Sequence, residues 1–102
     1  MAESKMQGNT DSGWQTLVSG VRYRKKNGIV YVYVEGYTSS TTGTIVAGTL
    51  PVGFRPNFNA QGYAKRSGAP ISFWITGVGT VNFYSSVQSG NIEGFAVFPA
   101  DA

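Results

Sequence analysis

Val21-Arg-Tyr-Arg-Lys-Lys26, Asn27-Gly28, Ile29-Val-Tyr-Val-Tyr-Val34: these consecutive residues decide the fold class. Asn-Gly between two alternating runs is the strongest short hairpin signal, because a type I′ turn needs positive φ at both central positions. A two-residue loop pairs Lys26 with Ile29, Arg24 with Tyr31 and Arg22 with Tyr33. Strand side chains alternate between faces, so Val21, Tyr23, Val30, Val32 and Val34 share the core side. The other face alternates guanidinium and phenol, and such pairs can stack as cation–π contacts worth about 0.5–1 kcal/mol each when exposed.

A second hairpin follows the same logic. Ile71-Ser-Phe-Trp-Ile-Thr76 and Thr80-Val-Asn-Phe-Tyr84 flank Gly77-Val-Gly79, a loop of the length and composition that suits a hairpin with a bulge. That register sets Phe73 against Phe83 and Ile75 against Val81 on the inner face. Trp74 lies opposite Asn82, and Ser72 opposite Tyr84, on the outer one.

Outward from these hairpins, short alternating runs are broken by Gly, Pro, Asn and Ser. The pattern predicts strands near 14–19, 21–26, 29–37, 43–50, 60–66, 70–76, 80–86 and 92–98. No window carries the 3.6-residue apolar period of a helix. The expectation is an all-β domain: an antiparallel β-sandwich or jelly-roll-like barrel of about eight short strands. Residues 1–13 are polar and end in turn formers, so they read as a flexible tail or linker without the apolar core of a signal peptide. The head domain is then 14–102.

Composition narrows the chemistry. The chain has 102 residues, which make one domain, and it contains no histidine and no cysteine. That removes His- and Cys-based zinc and haem sites, Ser-His-Asp and Cys-His nucleophiles, and disulfides; no cofactor or metal is expected. Charged residues are 13% and aromatics 14%, which argues against disorder, and no stretch is long and apolar enough to span a membrane as a helix. The acids are Glu3, Asp11, Glu35, Glu93 and Asp101, and nothing in the sequence brings two of them together as a glycosidase requires. Gly77-Val-Gly79 and Ser89-Gly-Asn91 are turns, since neither opens a helix nor ends in Gly-Lys-Ser/Thr.

Two outer faces are candidate sites. Trp74, Tyr84, Asn82 and Ser72 combine flat rings with orienting polar groups, as saccharide sites do. The same group also suits a face buried against another sheet or a second subunit. Arg22, Arg24, Tyr31 and Tyr33 form a basic-aromatic face that could grip an anionic polymer or simply be a solvated strand pair. Nucleic acid is disfavoured there, because the basic residues are few and Glu35 lies on the same stripe.

The most distinctive run is Gly48-Thr-Leu-Pro-Val-Gly-Phe-Arg-Pro56. With Trp14-Gln-Thr-Leu17, Tyr23-Arg-Lys-Lys-Asn-Gly28 and the closing Gly94-Phe-Ala-Val-Phe-Pro99, it resembles receptor-binding heads of tailed-phage or prophage tail-fibre and baseplate proteins. Heads of lactococcal phages are the familiar cases, and the resemblance covers most of 14–99. It implies a homotrimeric β head in the distal tail of the virion, joined to the remainder of a fibre or baseplate. It further implies adsorption to host cell-wall saccharide without catalysis. Heads of this group hold sugar with a tryptophan, a histidine, an arginine and acidic residues; this chain has no histidine, so that set does not transfer whole. Arg55 could contact ligand or brace its own loop, which two prolines stiffen. Two other classes remain open: a trimeric jelly-roll adhesion module of bacterial or complement-type origin, and a small glycan-degrading enzyme.

Overall fold

The computed structural model describes residues 11–87 and 89–100. Most of the stretch read as a tail, Glu3 included, and the C-terminal Asp101 and Ala102 lie outside the described residues. Nine antiparallel strands follow one another: β1 (Gln15–Val18), β2 (Val21–Lys26), β3 (Ile29–Tyr37), β4 (Gly43–Thr49), β5 (Ala60–Gln61), β6 (Tyr63–Arg66), β7 (Ala69–Ile75), β8 (Thr80–Ser85) and β9 (Ile92–Pro99). Their spatial order is β1-β2-β3-β9-β6-β7-β8-β4, with β5 also on β7. No described residue is helical.

Both hairpins have the register read from the sequence. Asn27 and Gly28 take φ of 53° and 82°, as the type I′ turn requires, and β2 meets β3 from Lys26↔Ile29 through Val21↔Val34. In the second hairpin Phe73 meets Phe83, Trp74 meets Asn82, Ile75 meets Val81 and Ser72 meets Tyr84. Its loop is closed by the Thr76 N–H donating to the Thr80 carbonyl at 3.1 Å, and by a 2.6 Å contact between the two threonine hydroxyls.

A third hairpin joins β6 to β7. The segment 60–66 was expected to be one strand, but it breaks at Gly62 into β5 and β6, both in the same register on β7. Ser67 and Gly68, with φ of 52° and 82°, form a second turn with positive φ at both central residues, joining β6 to β7. Ser-Gly is a weaker signal than Asn-Gly, because serine lacks asparagine's tolerance of that conformation. Here the Ser67 hydroxyl donates to the Ser89 carbonyl at 3.0 Å, which helps hold the turn.

The sheet folds over on itself through β7. Ala69–Ile71 of that strand pair with β6 on the larger sheet, while Ser72–Ile75 pair with β8 on the smaller one. Glycines make the bend possible. A Cβ at Gly62 would lie 2.7 Å from the Phe73 ring, and one at Gly94 would lie 2.1 Å from the Tyr63 carbonyl oxygen. At the far side β1 and β4 meet through side chains, Leu17 packing on Gly48, so the sandwich is nearly closed into a barrel. Inside, Val21, Val30, Val32, Leu50, Ile75, Val81, Phe73 and Phe83 are buried, with the two phenylalanine rings stacked 4.8 Å apart.

The Leu50–Pro56 crossover braces itself. Leu50 is fully buried and its N–H donates to Gly79 O; Phe54 N–H closes a turn on Pro51 O, with Gly53 at φ 97°. The Phe54 ring meets Tyr23 edge-on at 5.0 Å, and Lys25 Nζ donates to Gly53 O at 2.8 Å. Both described chain ends lie beside the 27–28 turn: Asp11 bridges to Lys26, and Ala100 N–H donates to Gly28 O. Loops 38–42, 67–68 and 86–91 therefore crowd the opposite end.

Gly94→Ala should destabilise the domain by about 3 kcal/mol, since the methyl collides with backbone that cannot yield. Gly68→Ala meets open space and should cost only about 1 kcal/mol, from its positive φ. Urea unfolding of the two variants checks the order; equal losses would refute the steric account.

Candidate functional site

On the outer face of the large sheet, cross-strand registers line side chains into rows. Arg22, Tyr33, Phe95 and Tyr63 make one row across β2, β3, β9 and β6. Glu35, Glu93 and Lys65 make the next, and Arg24, Tyr31 and Val97 flank the aromatic row on its other side. Tyr33, Phe95 and Tyr63 are each about half exposed, and the Tyr63 and Phe95 rings stand 6.2 Å apart. Together with Glu35, Glu93 and Lys65 they line a shallow hollow of about 260 Å³.

The fold brings two carboxylates into register, a pairing that has no local signature. Glu35 and Glu93 face each other because the last strand returns to pair with β3, a contact no local pattern reveals. Like charges directly opposite are unfavourable. Arg22 at 3.6 Å from Glu35 and Lys65 at 3.9 Å from Glu93 offset that repulsion. The two glutamate side chains are 71% and 51% exposed, so neither occupies the water-poor pocket of a glycosidase's acid.

The basic-aromatic face is assembled differently from the expected pairs. Arg22 and Arg24 stand opposite Tyr33 and Tyr31 in register, but both guanidinium groups lie over the Trp14 ring, 5.5 and 5.7 Å from its centre. Trp14 in turn packs 6.1 Å from Tyr33, so one indole contacts both cations and the phenol row. Arg24 also binds Asp11 with both ends of its guanidinium, Nε donating to Oδ1 at 2.9 Å. That pairing, together with the Gly13 N–H, holds the Asp11 carboxyl at about 2, well below its ordinary value.

The small sheet carries the second expected group. Trp74 is half-buried, Tyr84 half-exposed and Ser72 exposed on one outer face. Asn82 is 6% exposed and both protons of its amide are engaged, by the Thr80 carbonyl and hydroxyl at 3.0 Å each. Arg55 belongs to the crossover, where its Nε donates to Leu50 O at 2.8 Å and its side chain lies against Gly79. It braces the loop.

One organising residue was missed. Arg66 is fully buried and donates to the carbonyls of Ser39, Thr41, Val87 and Gly90, tying loop 38–42 to loop 86–91. The signal was available in β6, where Ala64 and Arg66 share the inward parity. Among the described residues no three acidic side chains gather into a metal-binding group, and no helix is long and apolar enough to cross a membrane.

No protein-family model matches this chain, and no curated protein does.

The depressed Asp11 carboxyl favours the folded state above the ordinary aspartate range, and that contribution is lost as pH falls through about 4 towards 2. Asp11→Asn should therefore unfold with a shallower acid dependence than the wild type between about pH 4 and 2. Parallel acid titrations followed by Trp14 and Trp74 fluorescence read the difference; superimposable curves would exclude the linkage.

Proposed function

We propose that this chain is a non-catalytic adhesion head that adsorbs to host cell-surface saccharide, of the kind found on tailed-phage fibres and baseplates. In that reading it stands in the distal tail of the virion as a homotrimer, attached to the remainder of the fibre. The observation that carries the proposal is the hollow of the large sheet. Three rings lie side by side across adjacent strands, bordered by two carboxylates and an ammonium.

Each part has a role in holding a sugar. The apolar C–H faces of a pyranose pack on Tyr33, Phe95 and Tyr63, while its hydroxyls donate to Glu35 and Glu93 and accept from Lys65. The platform is built on paired strands rather than loops, so its rings are held in place before a ligand arrives. The same stacking would suit a base, but the two carboxylates repel a phosphate backbone, which favours the saccharide. The Gly48–Pro56 run that resembles phage heads serves the fold, by bracing a crossover, and supports the family reading rather than the site.

A shallow hollow buries little of its ligand, so each copy binds weakly, and several copies on one fibre gain on the order of 10²–10⁴ through avidity. Both described chain ends lie beside the 27–28 turn, while the hollow lies on the side of the barrel.

A glycan array on the full chain, followed by NMR titration with the best oligosaccharide, tests the proposal. Tyr33→Ala and Phe95→Ala should each weaken binding about tenfold, equivalent to about 1.4 kcal/mol, with the spectrum of the core unchanged. Binding that survives both substitutions moves the site elsewhere. Release of reducing ends from purified cell wall would overturn the non-catalytic assignment.

A further inference from the structure

Charge is distributed unevenly over this barrel. β4, β5, β7 and β8, the strands that build the small sheet, contain no charged residue. The charged side chains on described strands all belong to β2, β3, β6 and β9. The small sheet's outer face is nevertheless well furnished. One row runs Thr44–Tyr84–Ser72 and the next Val46–Asn82–Trp74–Gln61. Val46 is 55% and Tyr84 49% exposed.

We propose that this uncharged face is where copies of the chain meet, turned toward a shared symmetry axis. The inference deepens the multicopy reading above and rests on it. Depletion of charge marks an interface core, and Tyr84 and Trp74 give this face its rings. The chain carries a net charge of +3, so copies repel over most approaches, and this face brings them together without setting like charges against each other. Near a rotation axis each residue meets its own equivalents. Hydroxyl and amide side chains can do so, since each both donates and accepts, whereas a lysine or glutamate cannot. The Asn82 amide is already engaged along its own strand by Thr80, so it brings no unmatched donor to the contact. The large sheet is the poorer candidate, because burying it would desolvate Arg22, Glu35, Lys65 and Glu93 together.

The test is light scattering and sedimentation of the full chain over a concentration series. Thr44→Lys and Val46→Lys, singly and combined, place ammonium groups on the face without touching the hollow. The combined variant should associate at least about tenfold more weakly, while its thermal unfolding at concentrations where the wild type is monomeric, and its monovalent oligosaccharide affinity, stay those of the wild type. Mixing Val46→Lys with Val46→Glu should restore association as mixed species, a recovery that misfolding could not produce. A wild type that stays monomeric throughout sinks the multicopy reading itself. Undiminished association of the double-lysine variant leaves that reading standing but overturns the choice of face. Loss of oligosaccharide binding by an associated variant would also overturn it, marking the face as a ligand site.

Discussion

The close approach of β6 to β9 is the constraint on which the rest of the molecule depends. At Gly94 the facing backbone comes within a distance no Cβ tolerates, and at Gly62 the chain passes between the Phe73 ring and the Phe95 carbonyl. With those two positions open, β7 can leave the large sheet partway along its length and enter the small one, so one continuous hairpin supplies both layers. The same approach places Tyr63 beside Phe95 and Lys65 beside Glu93. Fold and hollow therefore share a single steric requirement. A substitution at Gly94 would be felt in the aromatic row as well as in the core.

What the sequence disclosed follows from the range of each interaction. Adjacent strands joined by glycine-containing turns were legible down to individual pairs: Arg24 opposite Tyr31, Trp74 opposite Asn82. Alternation told inside from outside, so the valines of β2 and β3 fell on the core side. Pairings between distant segments left no local mark. That β9 would lie between β3 and β6 could not be read, and with it went the meeting of Glu35 and Glu93 and the ring row that crosses three strands. The hairpin register marks Tyr33 as a partner of arginine, and nothing local marks it as a partner of Phe95. Arg66 was hidden for a different reason: a charged residue reads as surface unless its parity is followed, and its partners are backbone carbonyls that carry no sequence signature.

Arg66 also shows how a small barrel can order its loops without disulfide or metal. A buried guanidinium is costly unless its donors are met, and four carbonyls from two loops meet them here. The fork geometry matters, because a lysine ammonium could not reach the same set. Loops 38–42 and 86–91, rich in serine and threonine, are held together from beneath while their hydroxyl-bearing side chains face outward. One residue of the core thus ties the two loops to each other.

The pairing of β3 with β9 also has a bearing on synthesis. On the ribosome β1, β2 and β3 emerge first and can form their hairpins, but the free edge of β3 finds its neighbour only after residues 38–91 have followed. Until then the nascent chain presents an open strand edge bearing Tyr31 and Tyr33, a template for any other exposed strand. Neighbouring chains made on one message would be exposed to one another at that stage. Glu35 and Arg22 near one end of that edge, and Lys25 and Lys26 near the other, are charges suited to keeping it from pairing early with the wrong strand.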